Sequence, residues 1–503
     1  MNPVGSGRRT SIGSQIYGRV KRPIEAALMG ENLKAKVFRG GAWLGSGSLA
    51  EQVSRFGRNM LLARLLAPEA FGTMAIVLSA SSLIDTLTAI GVREAIIQNP
   101  RGGEDKYLNA AWWLGFGRAI SLYSLIFALA PWVSRFYANP ELVALLRVSL
   151  LSLLFYGAIS PGTHLAIKQM RFPRWAAINH GGGICGVVIT VILALFIRNV
   201  WALVIGYCAE SAARCVLSYL LCPYLPSLAW DREALGKLLR FSKGMFGLSF
   251  LNLIFARADI FVLAKLYSAT DLGLYAMAVF LVQTPMSFIM NLLGQTLLPT
   301  FSQIQGDTAR INRILVNVTS LIVRLGMPAL VFVFFCGHSL LTVVYGDRYG
   351  AATGALIIAS CVALVNLVNG QITSVLYAKG LPQLHRRCVA MMAITIIVLI
   401  YPLAKDLGLV GAQVACLISI VVGYLFQVVR IRQLTGLNLT QYSKSFLFSA
   451  AISIGVLAIC LGTQPVGILA RPVPNIVLGI LGCILAYSLS LGIYLRNNQA
   501  RTT

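Results

Sequence analysis

The sequence predicts an all-α integral membrane protein of about 14 transmembrane helices, with two six-helix lobes related by an internal repeat and two additional C-terminal helices. Three observations predict this class. The 503 residues are 57% hydrophobic and only 12% charged, about half the charged share of a soluble protein. Apolar stretches near the ~20 residues that a bilayer requires follow one another. A motif also returns at a constant offset of 201 residues.

The repeated motif joins two apolar segments through a short polar turn. Residues 63–75 read Ala-Arg-Leu-Leu-Ala-Pro-Glu-Ala-Phe-Gly-Thr-Met-Ala, and residues 264–276 read Ala-Lys-Leu-Tyr-Ser-Ala-Thr-Asp-Leu-Gly-Leu-Tyr-Ala. The positions that keep identity or charge are Leu62/Leu263, Ala63/Ala264, Arg64/Lys265, Leu65/Leu266, Gly72/Gly273 and Ala75/Ala276. A weaker echo relates 136–140 to 344–347 near the same offset. Two echoes at similar offsets favour a duplicated unit.

The chain divides into a tail, two lobes and a C-terminal addition. Residues 1–39 are basic and form a cytosolic tail on anionic headgroups or a disordered segment. The predicted spans are 41–66, 71–92, 108–134, 141–165, 175–197, 201–222, 243–267, 272–298, 314–338, 351–377, 384–404, 408–430, 445–464 and 474–495. The predicted domains are an N-terminal lobe (40–222), a cytosolic linker (223–242), a C-terminal lobe (243–430) and two further spans with a short tail (431–503).

Prolines lie both at the boundaries of the predicted spans and inside two of them. It predicts boundaries at Pro68, Pro100, Pro140, Pro223, Pro299 and Pro382. Inside spans it predicts kinks at Pro285 and Pro328, because proline removes a helical hydrogen bond.

The distribution of cations predicts the orientation in the membrane. With a cytosolic N-terminus, 28 of the 42 Lys and Arg residues fall in inner segments, seven in outer segments and seven within spans. This four-to-one bias follows the positive-inside rule and places both termini in the cytosol. It also explains most of the net charge of +25 without nucleic acid as a partner, leaving membrane lipids as the surrounding partner.

Charged residues within the spans are the candidate functional residues, because a charge at membrane depth faces either a partner or a water-filled cavity. Glu51 with Arg55, and Glu210 with Arg214, stand four residues apart and can neutralise each other on one helix face. The excess of arginine predicts a cavity for a phosphate, which a planar guanidinium matches. The pyrophosphate-binding candidates are Arg55, Arg58, Arg118, Arg147 and Arg324, and the gate or ion-coupling candidates are Asp85, Glu210, Arg257 and Asp259.

The repeat makes a further prediction about two of these residues. The offset of 201 aligns Arg58 with Asp259. Equivalent positions of parallel repeats face each other across a central cavity, so this pair can hold the outward mouth shut until a phosphate competes for Arg58. The alternative is that Asp259 is satisfied inside its own lobe, for example by Arg324.

The motifs together resemble the Wzx-type oligosaccharide exporters of the multidrug/oligosaccharidyl-lipid/polysaccharide superfamily. The resemblance covers roughly residues 40–430 and rests on residues 63–72, 91–98, 257–259 with 272–275, and 341–346 in that order. It implies a V-shaped pair of six-helix lobes that move undecaprenyl-pyrophosphate-linked repeat units across the bacterial inner membrane for exopolysaccharide, capsule or O-antigen synthesis. A polymerase and a chain-length regulator of the same pathway are the implied protein partners.

Two other functions stay open. A drug or cation antiporter of the same superfamily needs acidic residues in its cavity, and a membrane sugar polymerase or ligase is expected to need a long outer loop with Arg and His. The four histidines are scattered, at 164, 180, 338 and 385, and no nucleophile, metal or nucleotide motif is recognisable. We therefore expect no enzyme activity, no cofactor and no metal. The sugar, the energy source and the oligomeric state stay open.

Overall fold

The computed structural model describes residues 33–87, 92–99, 101–227, 231, 235–236, 246–462, 477 and 479–480. Within these ranges every regular element is a helix. The predicted tail before residue 33, most of the predicted linker and almost all of the last predicted span lie outside the described residues. Helix α1 (Leu33–Leu65) begins eight residues before the predicted first span, inside the stretch assigned to the tail.

Residues 33–227, the N-terminal half, are a series of helices with one bent span. After α1 come α2 (Pro68–Leu87), α3 (Val92–Gln98), α4 (Asp105–Phe136), α5 (Leu142–Ser149), α6 (Leu151–Gly157), α7 (Gly162–Lys168), α8 (Phe172–Ile197) and α9 (Val200–Leu221). The segment of the span predicted at 141–165 is not one continuous helix, because it bends by 56° between α6 and α7. Pro161 lies at the bend, and a proline disfavours a helical conformation in the residue before it.

Residues 246–462, the C-terminal half, hold longer helices. They are α10 (Phe246–Leu266), α11 (Ala269–Gln303), α12 (Thr308–Tyr345), a 3₁₀ helix (Asp347–Ala352), α13 (Thr353–Ala378), α14 (Pro382–Thr435) and α15 (Leu439–Gly462). Two predicted spans share α14 and meet at a kink at Gly408, whose φ of 67° favours glycine. The boundary predicted at Pro299 is wrong, because α11 continues through it for another turn.

Length and hydropathy confirm an all-helical membrane protein. Among the described residues, seven helices are long and apolar enough to cross a membrane, or eight if the bent pair of 142–157 with 162–168 counts as one span. Helix α14 contains two of the predicted spans, which a count of helices records as one. The total of 14 spans stays a prediction.

The two halves pack together around the ends of α1 and α10 and the starts of α2 and α11. Helix α2 packs against α10 and α11, and one apolar core joins Leu62 and Phe71 of the first half to Leu263 and Tyr275 of the second. The first turns of α11 are buried there. Its later positions Asn291, Leu292, Gly294, Gln295 and Thr296 are exposed. In the predicted orientation, the buried start of α11 faces outward and its later part lies toward the cytosol.

Candidate functional site

A cavity of about 390 Å³ lies between the two halves, walled by α1, α2, α8 and α9 on one side and by α10 and α11 on the other. Five of the nine predicted site residues line it. They are Arg55, Arg58 and Glu210 from the N-terminal half, and Arg257 and Asp259 from the C-terminal half. The structure therefore brings together charged residues that lie up to 204 positions apart in the sequence.

Five side chains of the N-terminal half form one ionic cluster, which consists of Glu51, Arg55, His180, Glu210 and Arg214. Arg55 Nη2 donates to Glu51 Oε1 at 2.9 Å and also pairs with Glu210. Arg214 Nη2 lies 2.8 Å from Glu210 Oε1 and 3.4 Å from Glu51 Oε1. Both pairs expected within a helix thus form, and the contacts between α1 and α9 join them into one cluster.

His180 belongs to this cluster, although no partner for it could be recognised from spacing in the sequence. Its Nδ1 lies 2.7 Å from Glu51 Oε2. The partner stands 129 residues away, so spacing along the chain could not reveal it. The nearby glycine triplet at 181–183 was the available signal, because closely packed helices need small residues.

Glycines of α8 make room for the ionic cluster. A Cβ at Gly183 would lie 2.5 Å from Glu51 Oε1, and a Cβ at Gly186 would lie 2.5 Å from Glu210 Cβ. At Gly182 an added Cβ would overlap the Arg214 side chain. The triplet therefore serves helix packing within an unbroken helix.

The cavity arginines differ in how far their charge is neutralised. Arg55 is paired with two carboxylates. Among the described residues, Arg58 Nε donates to the neutral Asn59 Oδ1 at 3.1 Å and forms no direct ion pair, and Arg257 has neither a hydrogen bond nor a direct ion pair. These two guanidinium groups on opposite walls therefore stand outside the ionic cluster, and a guanidinium fork has the geometry to bind phosphate oxygens.

Asp259 is held by its own half. It is 7% exposed, and the Tyr275 hydroxyl donates to its Oδ2 at 2.6 Å while the Ile260 amide donates to Oδ1 at 2.8 Å. Gln413 Nε2 in turn donates to the Tyr275 oxygen at 2.6 Å. Asp259 and Arg58 line the same cavity without forming an ion pair in this structure. Asp259 instead has a partner in its own half, as in the alternative, and that partner is Tyr275 and not Arg324, the example given for it.

The remaining predicted site residues lie away from this cavity. Arg118 Nη2 donates to Asp85 Oδ1 at 2.7 Å and to the Asp85 carbonyl at 2.5 Å, beside a smaller cavity of about 190 Å³ inside the N-terminal half. The Arg147 Cζ lies 3.9 Å from the centre of the Phe127 ring. Arg324 stands on α12 and is not among the lining residues.

Comparison with known proteins identifies a family for this chain. The profile of the family described as "Polysaccharide biosynthesis protein" matches residues 61–353. The lipopolysaccharide biosynthesis protein WzxC of Escherichia coli K12 is 24% identical over 69% of this chain and 71% of its own length. The succinoglycan biosynthesis transport protein ExoT of Rhizobium meliloti is 25% identical over 64% of this chain and 65% of its own. The probable flippase AglR of Haloferax volcanii is 24% identical over 76% and 81%.

Solved structures share the fold. The lipid II flippase MurJ in an inward closed conformation covers 90% of this chain and 99% of its own, with a TM-score of 0.76 at 14% identity. An inward-facing multidrug transporter of the MATE family, in the MOP superfamily, covers 78% and 98%, with a TM-score of 0.58 at 12% identity. At these identities the likeness shows a common fold of the MOP type.

Proposed function

This chain belongs to the polysaccharide biosynthesis protein family, and from that premise we propose that it is a flippase for undecaprenyl-pyrophosphate-linked oligosaccharide repeat units in the bacterial inner membrane. Membership of this transporter family agrees with the expectation that the chain is not an enzyme. The substrate is inferred from the family and from the charges of the cavity. The polymer served is an exopolysaccharide, a capsule or an O-antigen.

The observation that carries the proposal is a pair of arginines without a direct ion-pair partner among the described residues, in the cavity between the halves. Arg58 and Arg257 approach it from opposite walls, and among the described residues neither forms a direct ion pair, although Glu210 lies within electrostatic range of Arg58 and Asp259 of Arg257. A pyrophosphate offers two anionic groups, so one guanidinium can bind each phosphate. The same charges disfavour a cationic drug as the substrate, because like charges would have to be buried together.

We further propose that the halves act as two lobes, 40–222 and 243–430, that rock about this cavity. Sites of repeat-based transporters lie at the interface between the repeats. The exposed later part of α11 supports an opening toward the cytosol, where the lipid-linked unit is synthesised. Outward release then requires the buried contacts at the other end to separate.

The test is the fate of the lipid-linked oligosaccharide in cells that lack this chain. We expect the undecaprenyl-pyrophosphate oligosaccharide to accumulate, protected from a pyrophosphatase added outside spheroplasts, because it stays in the inner leaflet. The wild-type chain and Arg135→Ala, which removes an outer cation away from the cavity, should restore the exposed pool. The double variant Arg58→Ala/Arg257→Ala should not. Normal exposure in cells without the chain would overturn the proposal.

A further inference from the structure

The two halves exchange a pair of contacts at repeat-equivalent positions near the outward end. Arg64 Nη2 donates to the Val343 carbonyl oxygen at 2.7 Å. Lys265 Nζ donates to the Phe136 carbonyl oxygen at 2.6 Å and lies 4.7 Å from the centre of the Phe136 ring. Arg64 and Lys265 are the cations that the repeat keeps at its offset of 201. Each half therefore extends one equivalent cation to the other half.

The acceptors lie at corresponding helix ends. Phe136 is the last residue of α4, and Val343 lies in the last turn of α12. These helices contain the third and the ninth predicted spans, which the repeat relates to each other. Carbonyl groups in the last turn lack partners within the helix and carry the negative end of its dipole. Each cation thus caps the corresponding helix of the opposite half.

A glycine crossing lies between the two caps. A Cβ at Gly72 would overlap the Ala269 carbonyl oxygen, and a Cβ at Gly273 would overlap the Pro68 carbonyl oxygen. Gly72 and Gly273 are repeat equivalents, and so are positions 68 and 269. The first turns of α2 and α11 therefore cross in contact around a local two-fold relation, which small residues permit.

We propose that these contacts form an outer latch, consisting of the two cation caps and the glycine crossing, that holds the outward mouth of the cavity closed. The inference rests on the alternating-access function proposed above. Phe71, Met74 and Met277 line the cavity directly beside the crossing, so an outward opening separates α2 from α11. That movement breaks both caps, and because both helices are capped, the latch resists opening from either half.

The experiment measures access to the cavity from outside. Gln283, which lines the cavity and is exposed, is changed to cysteine, and a membrane-impermeant maleimide is added to spheroplasts. The parent chain is the Gln283→Cys chain without a change in the latch, and labelling of a latch variant above this parent reports outward opening. A cation at a helix C-terminus stabilises the closed state by a modest free energy. Its size predicts that losing one cap raises the outward-open population about two- to fivefold. We expect that rise for Arg64→Gln and for Lys265→Gln, and a larger rise for both together.

Matched controls are available at the same end of the molecule. Arg135 and Arg348 are outer cations without a hydrogen bond to the opposite half among the described residues, so Arg135→Gln and Arg348→Gln should leave labelling unchanged. Arg64→Lys keeps the charge at the cap and should stay near the parent value. If the Arg64→Gln/Lys265→Gln protein does not accumulate in the membrane, the labelling of the two single variants tests the latch.

Two results would overturn the latch. One is parent-level labelling in both single variants. The other is an equal rise in Arg135→Gln, which would trace the effect to surface charge in general. No lipid-linked substrate enters the assay, so a chain that keeps the latch but does not move the lipid fails the proposed function alone.

Discussion

At the residue scale, the arginines of this chain separate by what surrounds each guanidinium group. Arg55 and Arg214 form ion pairs with Glu51 and Glu210, and Arg118 forms an ion pair with Asp85. Arg58 lines the same cavity as Arg55, but its hydrogen bond among the described residues goes to an asparagine oxygen. We propose that the first group stabilises the fold of the N-terminal half, whereas Arg58 binds the ligand.

This distinction predicts different responses to a conservative change. Arg58→Lys keeps a point charge but loses the planar fork, so export should fall about tenfold or more, as loss of a charged hydrogen bond does. Arg147→Lys is the matched control, because a lysine can still lie over the Phe127 ring. The measurement is the initial rate of polymer export at equal protein levels. Equal rates for the two lysine variants would contradict the assignment.

The sequence could predict the charges of the site but only part of their pairing. Glu51 with Arg55 stand four residues apart on one helix, so spacing alone reveals the pair. The contacts of Arg55 with Glu210, of His180 with Glu51 and of Arg118 with Asp85 depend on which helices are neighbours. Hydropathy carries no information about helix order within a half, and such pairs therefore need the structure.

At the element scale, α8 shows how a helix is shaped to its neighbours. Its glycines at 182, 183 and 186 face Arg214, Glu51 and Glu210, respectively. The helix can approach α1 and α9 closely only because these positions carry no side chain. The predicted spans 175–197, 201–222 and 351–377 agree with α8, α9 and α13 to within three residues. The bend at Pro161 was not predictable, because the apolar pattern runs through it without interruption.

Two glycines of α8 provide a matched pair for a test of this packing. Gly186→Ala places a methyl group 2.5 Å from Glu210 Cβ, so it should lower stability by about 1–3 kcal/mol through overpacking. Gly181→Ala meets only Leu217 Cδ1 at 3.4 Å and should be neutral or gain about 0.5–1 kcal/mol from its helix propensity. The melting temperatures of the two variants and the wild-type chain in detergent measure this difference in stability. A Gly186→Ala variant as stable as Gly181→Ala would contradict the packing argument.

At the scale of the whole molecule, the 201-residue repeat is realised as a two-fold relation between the halves. The two copies of the repeated motif, residues 63–75 and 264–276, form the crossing of α2 with α11 and carry the cations of the two caps. The same relation places Arg58 and Asp259 on facing walls of one cavity. The sequence could predict this correspondence, but it could not show that Tyr275 holds Asp259 away from Arg58 in this state.

We predict that Arg58 and Asp259 pair in another state of the transport cycle and act as a gate. Arg58→Asp alone and Asp259→Arg alone should each impair export, because each leaves two like charges facing across the cavity. The double swap should recover part of the export rate, since it restores an opposite-charge pair. A double swap as inactive as either single variant, at equal protein levels, would argue against the gate.

The membrane orientation is a separate prediction of the whole chain. Reporter fusions should indicate the cytosol at Gly103, Arg171, Asp307 and Arg387 and the outside at Glu69, Asn139, Asp271 and Asp406. The positive-inside distribution of cations is the physical reason. Alkaline phosphatase and green fluorescent protein fusions measure the two sides in opposite ways. A consistent inversion at all eight positions would overturn the orientation and with it the outward position of the latch.

The most direct test of the central claim is lipid transfer by the purified protein. Lipid-linked oligosaccharide extracted from cells that lack this chain is placed in vesicles with the protein, and the fraction exposed to a pyrophosphatase added outside is followed over time. We predict transfer that depends on the protein and falls at least about tenfold in Arg58→Ala/Arg257→Ala. Transfer no faster than in protein-free vesicles, or equally fast in the double variant, would contradict a flippase built around these two arginines.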